Sequence, residues 1–275
     1  MTTSDLYAQI LKKRSFLCVG LDTVYEKIPD CIKKTNCLDG KEFSGRANSI
    51  VEFNKAIIDA TAEHCISYKP NLAFYESEGI DGMRALDATV RYIRDNYPEI
   101  FLIADAKRGD IGNTAKMYAK TYFETMDFDA VTISPYMGTE TVSPFLNYPG
   151  KFAIAVALSS NPTSSDFQMS IQDGKPLYRN VIEKMMSISS PENMMFVVGA
   201  TKSDQLKEIR TFCPDNFLLV PGVGTQGGSA EAVIKYGSNS KGGLIINSSR
   251  AVLYASDQED YACAAANVAA HTAKF

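Results

Sequence analysis

Phe101-Leu102-Ile103-Ala104-Asp105-Ala106-Lys107-Arg108-Gly109-Asp110 is the stretch on which the reading of this chain turns. Phe101 to Ala104 is an apolar run suited to a buried strand, and residues 111–126 follow with a helical pattern. Asp105, Lys107 and Asp110, spaced D-x-K-x-x-D, therefore fall where a strand hands over to a helix. In α/β proteins that edge is where ligands bind. Charges at a buried strand end need partners or a task, because taking them out of water is costly. Alone, such a run reads as a structural salt-bridge cluster; the rest of the chain decides between the two readings.

The same strand-then-helix unit recurs along the sequence. Apolar runs at 16–21, 65–69, 101–105, 130–134, 152–158, 195–199, 217–221 and 243–247 alternate with helix-like stretches. Those stretches are 47–63, 77–96, 112–126, 139–147, 176–188, 203–212, 229–236 and 257–273. Several runs are almost continuously apolar, as parallel strands covered on both faces should be. Ser203 and Ser229 supply helix start signals. Eight strands alternating with eight helices predict a (β/α)₈ barrel forming one domain over 1–275. A doubly wound sheet is the alternative, disfavoured because eight evenly spaced units leave no second domain. Two connections, 23–46 and 159–175, are longer than the fold needs. The second, rich in Ser, Asn, Pro and Gly, is expected to be a lid; the first reads equally as a binding loop or a tolerated insertion.

Composition narrows the classes. The net charge of -4 without a basic run disfavours a nucleic-acid partner. No apolar stretch reaches the roughly 18 residues that span a bilayer. Residues 1–14 lack the apolar centre of a signal peptide, so a cytoplasmic location is expected. Of the six cysteines, Cys18 and Cys65 sit in apolar runs as buried thiols would; Cys31 and Cys37 flank a polar loop and are weak candidates for a metal or redox pair. The two histidines, His64 and His271, make a histidine triad or multi-histidine metal site improbable. His64 is expected at a helix C-terminus, where the macrodipole favours its charge. No metal is expected.

In a barrel the C-terminal strand ends share one site. Here they read Asp22; Lys69-Pro70-Asn71; Asp105-Ala106-Lys107; Ser159-Ser160-Asn161-Pro162; Pro221 to Gly228; and Asn247-Ser248-Ser249-Arg250. Two lysines and two aspartates from separate strands would converge with a glutamine, a serine and an arginine. Burying such a set without function would cost several kcal/mol for each charge. Gly222, Gly224 and Gly227 also spell G-x-G-x-x-G, a weak dinucleotide signal that here comes late in the chain and lacks the acidic ribose ligand. A phosphate loop closed by Arg250 is the better reading, since loops after strands 7 and 8 commonly hold phosphate in these barrels and arginine's planar fork suits it. The bland alternative for Arg250 is a solvated residue at a helix start.

With these motifs assembled in this order, the chain resembles the orotidine 5′-phosphate decarboxylases, in their longer bacterial-type subgroup, over nearly its whole length. The resemblance rests on Leu21-Asp22, Lys69-Pro70-Asn71, Asp105 to Gly112, Ser160-Asn161-Pro162, Pro221 to Gly228 and Ser249-Arg250. It implies a cofactor-free homodimer that converts orotidine 5′-phosphate to UMP. By the same resemblance, Lys107 protonates C6, Asp105 lies beside the departing carboxylate, and Lys69 links the charge array to the ribose. Asp110, with Ile111 and Thr114, would enter the partner subunit's site. Asp22 would bind ribose hydroxyls and Ser160 the pyrimidine edge, with Asn71 also in the substrate-binding set. Gln226 and Arg250 would hold the phosphate, and Ser249 would offer backbone donation. The pair Ser248-Ser249 departs from the usual small residues at that point, leaving the geometry of the donation open. Ser160 is chosen over Ser159 because Asn-Pro follows it.

The chemistry explains the residue types. Direct loss of CO₂ from C6 leaves a carbanion that the ring π-system does not spread. A lysine set among carboxylates supplies both a positioned cation and a proton. The nearest rival is a Mg²⁺-dependent sugar-phosphate decarboxylase or aldolase of the same barrel type, but such enzymes place an acidic ligand where strand 2 here ends in Lys69. A Schiff-base aldolase needs a lysine of depressed pKa, which adjacent carboxylates oppose. A silent phosphate-binding barrel would have no need of Lys107.

Overall fold

The computed structural model describes residues 1–35, 45–201, 203–223 and 229–275. Its strands are β1 (Leu17–Gly20), β2 (Ser67–Lys69), β3 (Phe101–Arg108), β4 (Ala130–Ile133), β5 (Phe152–Leu158), β6 (Ile171–Gln172), β7 (Lys175–Pro176), β8 (Met194–Val198), β9 (Leu218–Pro221) and β10 (Leu244–Ser248). Eight of them close into a parallel barrel in the order β1-β10-β9-β8-β5-β4-β3-β2, while β6 and β7 form a separate antiparallel hairpin. The expected (β/α)₈ barrel is the observed fold.

Periodicity located the barrel strands because they are buried on both faces and so are apolar throughout; β1, β4, β8 and β10 are buried at every residue. Phe101 and Phe152, which open β3 and β5, meet edge to face with ring centroids 5.7 Å apart. Helices Gly45–Thr61, Gly79–Asn96, Gly112–Lys120, Leu177–Met186, Ser203–Phe212, Ala230–Gly237 and Tyr261–His271 follow their strands in turn. Among the described residues no helix is long and apolar enough to cross a membrane.

Several boundaries differ from the sequence reading. β3 does not stop at Asp105; it continues to Arg108 through a register shift between Ala104 and Arg108. The stretch 139–147 is one α-turn, Thr139–Val142, followed by the 3₁₀ segment Ser143–Asn147, because Pro144 interrupts an α-helix there. The helix expected over 112–126 ends at Lys120 and passes into a π-turn at Thr121–Thr125. An unexpected helix, Thr3–Lys13, precedes the barrel, started by a capping box in which Thr2 and Asp5 bond reciprocally. His64 lies in the turn after Thr61, and burial with nearby Lys274 pushes its pKa down, so the charged form expected from the macrodipole is disfavoured. Cys18 and Cys65 are buried as expected, and burial pushes the Cys18 thiol up to about 12. Cys31 is half-buried, and Cys37 lies outside the described residues.

Candidate active site

Lys69 is the last residue of β2, and Asp105 lies on the neighbouring β3, level with Asn71 just beyond it. The Lys69 Nζ donates to Asp105 Oδ2 at 2.8 Å and stands 3.9 Å from Asp22 Oδ1. The Lys107 Nζ donates to the other oxygen, Oδ1, at 2.6 Å. Asp105 is thus gripped on both carboxylate oxygens by lysines from two strands. Lys69 and Asp105 are only 3% and 9% exposed, whereas the Lys107 side chain is about half exposed, at 54%. Two elements of the array are therefore built into the barrel and the third reaches into its mouth.

Electrostatics follow from that geometry. Burial alone would raise the Asp105 pKa, but the charges of Lys69 and Lys107 outweigh it and hold the carboxyl below the ordinary range. Burial alone would lower the Lys69 pKa, but Asp105 and Asp22 outweigh it and hold the ammonium above its ordinary value. All of this keeps the buried pair ionised at neutral pH. Lys69 also occupies, as a fixed cation, the space between two carboxylates that a divalent metal would otherwise seek. Among the described residues no group of three or more His, Cys, Asp and Glu is arranged to hold a metal.

Lys107 is aimed by its backbone. Its φ is +45°, a left-handed conformation uncommon outside glycine, and it sits in the register shift of β3. Thr132 on β4 fixes both ends of this distortion: its hydroxyl accepts from the Lys107 N–H at 2.9 Å and donates to Asp105 Oδ1 at 2.9 Å. Sequence reasoning missed Thr132. Its signal was a hydroxyl residue inside the apolar run Ala130-Val131-Thr132-Ile133.

Asp22 is positioned from behind. Tyr75 donates its hydroxyl proton to the Leu21 carbonyl at 2.9 Å, and Tyr254 donates to the Asp22 carbonyl at 3.2 Å while accepting from Val24 N–H at 2.8 Å. Among the described residues the Asp22 Oδ1 has no hydrogen-bond partner, although it is buried. On the neighbouring strand, Asn247 donates to Ser249 Oγ at 3.2 Å. Ser249 Oγ fills the space beside Gly20, where a Cβ would come within 1.9 Å of it.

The remaining candidates divide. Asn71 caps the helix Leu72–Glu76, its Oδ1 accepting from Ala73 N–H at 3.2 Å, so part of its side chain has a structural task. Ser160 follows β5 and packs against Gly199. Arg250 is exposed at the first position of the helical turn Arg250–Leu253. Asp110, Ile111 and Thr114 are not drawn into the cluster: the Asp110 carboxylate accepts from Ile111 N–H at 2.7 Å, and Ile111 and Thr114 are exposed. Gln226, Gly224 and Gly227 lie outside the described residues.

A parallel (β/α)₈ barrel with a Lys–Asp–Lys array at the C-terminal ends of β2 and β3, buried at Lys69 and Asp105 and open at Lys107, defines the class of barrel enzymes working on a small substrate at their mouth. The chain is 53% identical over 266 residues to an orotidine 5′-phosphate decarboxylase of Phocaeicola vulgatus, covering 96% of this chain and 94% of that one. It is 51% identical over 271 residues to one from Porphyromonas gingivalis, covering 98% and 94%. Among solved structures it resembles the Leishmania donovani OMP decarboxylase with a TM-score of 0.79 at 33% identity, covering 98% of this chain and 99% of that one. A Plasmodium yoelii structure titled a putative orotidine-monophosphate-decarboxylase superposes with a TM-score of 0.85 at 26% identity, covering 96% and 97%. The sequence model of the orotidine 5′-phosphate decarboxylase / HUMPS family matches residues 15–265. The chain belongs to that family.

Proposed function

We propose that this chain is a carboxy-lyase that converts orotidine 5′-phosphate to UMP, in the cytoplasm and without a cofactor. The observation that carries the reading is the buried Asp105 held between Lys69 and Lys107. In the proposed reaction the bond between C6 and its carboxylate breaks, CO₂ leaves, and the electron pair stays on C6. Lys107 Nζ then delivers a proton to that carbon. Asp105 and Thr132 hold the lysine in place beforehand, so little reorganisation is needed as charge develops. Lys69 fixes Asp105 and connects the array to Asp22, whose carboxylate suits a ribose hydroxyl. Asp105 also opposes the reactant carboxylate more than it opposes neutral CO₂.

Arg250, with Ser249 and Gln226, is assigned to the phosphate, and Ser160 to the pyrimidine edge. Phosphate contacts far from C6 would serve to close the 159–175 segment and exclude water, so that remote binding appears in the rate of the chemical step. A homodimer in which Asp110 completes the partner subunit's site, accompanied by Ile111 and Thr114, accounts for their outward placement.

The test is loss of orotidine 5′-phosphate absorbance with metal-stripped protein and chelator, wild type beside Lys107→Ala. We expect turnover by wild type and a loss of about 10²–10⁴-fold in the variant, the scale on which removing a general acid acts. Binding without turnover by either protein would make the barrel a silent phosphate binder. Absence of binding would redirect attention to sugar-phosphate substrates.

A further inference from the structure

The 159–177 segment is tied to the end of β5 by one side chain that the active-site reading leaves unused. Gln168 lies beyond the 3₁₀ turn Pro162–Asp166 and folds back onto Ser159. Its Oε1 accepts from the Ser159 N–H at 2.7 Å, and its Nε2 donates to the Ser159 hydroxyl at 2.9 Å. That hydroxyl passes its own proton to Asn161 Oδ1 at 2.6 Å, and Asn161 Nδ2 donates to Thr163 at 2.8 Å. A chain of hydrogen bonds starting at Gln168 thus secures the residue before Ser160 and the residue after it.

Gln168 is itself held at both backbone groups. Its N–H donates to Ser164 O at 2.9 Å, and its carbonyl accepts from Tyr178 N–H at 2.9 Å, in the first turn of helix Leu177–Met186. Ser160 has a stop behind it as well. A Cβ on Gly199 would come within 2.6 Å of the Ser160 N and Cα, so only glycine permits this approach. Thr201 donates to the Ser160 carbonyl at 3.2 Å. Ser159, with its hydroxyl and N–H engaged, is committed to the scaffold, which leaves the Ser160 hydroxyl as the one presented to a ligand.

We infer that Gln168 is a positioning residue: its amide clamps Ser159 and thereby sets the Ser160 hydroxyl against the pyrimidine, with Gly199 as the backstop. This rests on the substrate reading proposed above. A clamp of this kind discriminates by base, because it acts on the group facing the pyrimidine and not on the phosphate or ribose contacts.

The experiment compares wild type, Gln168→Ala, Gln168→Glu, Ser160→Ala and the Gln168→Ala/Ser160→Ala double variant. The readouts are kcat and KM for orotidine 5′-phosphate and inhibition by ribose 5-phosphate, which lacks the base. Gln168→Ala is expected to lower kcat/KM about tenfold, the effect of one or two lost hydrogen bonds. Ribose 5-phosphate inhibition should stay within about twofold, because its contacts are remote from the clamp. Gln168→Glu keeps an acceptor for the Ser159 N–H and should recover part of the loss; it also serves as the readout if the alanine variant folds poorly. In the Ser160→Ala background, Gln168→Ala should add less than about twofold, as residues acting through one another do. Multiplicative effects in the double variant, or equal weakening of ribose 5-phosphate, would overturn the assignment. An active wild type indifferent to Gln168→Ala sinks this inference alone, whereas an inactive wild type sinks the substrate reading and this inference with it.

Discussion

Asp105 has the most to lose from a change in protonation. Its folded-state pKa is depressed by Lys69 and Lys107 against the opposing effect of burial. A carboxyl with a depressed folded pKa contributes stability above its unfolded value of about 3.9, and that contribution is lost as pH falls toward the folded value. Lys69 has the opposite sign: its raised pKa contributes stability below about 10.4, which is lost as pH climbs past it. Denaturant unfolding of wild type and Asp105→Asn should reveal the first effect. At pH 7 the variant leaves Lys69 buried with only Asp22, at 3.9 Å, to balance it. A loss of about 3–5 kcal/mol is expected, the cost of breaking a buried pair. Below about pH 4 the gap should narrow, because the unfolded wild-type chain then takes up a proton at Asp105 that the folded state still excludes, and wild type loses stability. A gap that keeps its size across both ranges would mean that Asp105 is not the depressed group. Lys107 adds backbone strain at the same place, since a lysine at φ +45° costs on the order of 1–3 kcal/mol. The hydrogen bond from its N–H to Thr132 and the continued pairing of Arg108 with Ile133 hold it there.

At the scale of elements, the first helix closes the end of the barrel opposite the site. Met1 reaches Gly150, Thr3 reaches Glu192, and Lys13 donates to the carbonyls of Ala62 and Cys65. Each of these partners lies just before a barrel strand, so Thr3–Lys13 lies across the N-terminal strand ends. Leu6 and Ile10, one turn apart, form its buried stripe. Ile10→Ala should cost about 2–5 kcal/mol in denaturant unfolding by opening a cavity under β1 and β10, with kcat unchanged because the site is at the other end. A parallel drop in kcat would mean that the plug also tunes the mouth. This helix was legible in principle. Thr2 and Asp5 carry the T-x-x-D cap signal and Leu6 and Ile10 the spacing, but a short amphipathic stretch ahead of β1 has no place in the strand-then-helix count. The barrel was legible for the converse reason: strands buried on both faces leave an apolar trace that no solvent-facing residue interrupts. Lys69, Asp105 and Lys107 were legible because charge at the end of such a trace has few explanations. Thr132 was not, since its role depends on the register between β3 and β4 and on a left-handed Lys107, neither of which is written in local sequence. The same holds for Gln168, whose partner Ser159 is found by the path of a loop.

The whole molecule presents a further pattern on the face that carries the site. Ile111 and Met117 after β3, Tyr136 and Met137 after β4, and Phe167 and Ile171 after β5 are all exposed, with Tyr136 at 85%. Exposed large apolar side chains on segments that leave the same ends of three neighbouring strands suit the dimer interface proposed above. In a two-fold dimer built on that face, each protomer gives what it receives. Asp110, which its own chain leaves outside the Lys69–Asp105–Lys107 cluster, would then lie over the partner subunit's lysine. This makes a quantitative prediction. Lys107→Ala and Asp110→Ala homodimers should each be nearly inactive, because every site lacks one of the two groups. Dissociated, mixed in equal amounts and reassociated, half the dimers should be mixed. Each mixed dimer carries one site with both defects and one with neither, since intact Lys107 from one chain meets intact Asp110 from the other. Activity should therefore recover to about a quarter of wild type. If Asp110 instead served its own chain, every site in the mixture would still lack one group. Activity would then stay at the level of the separate variants.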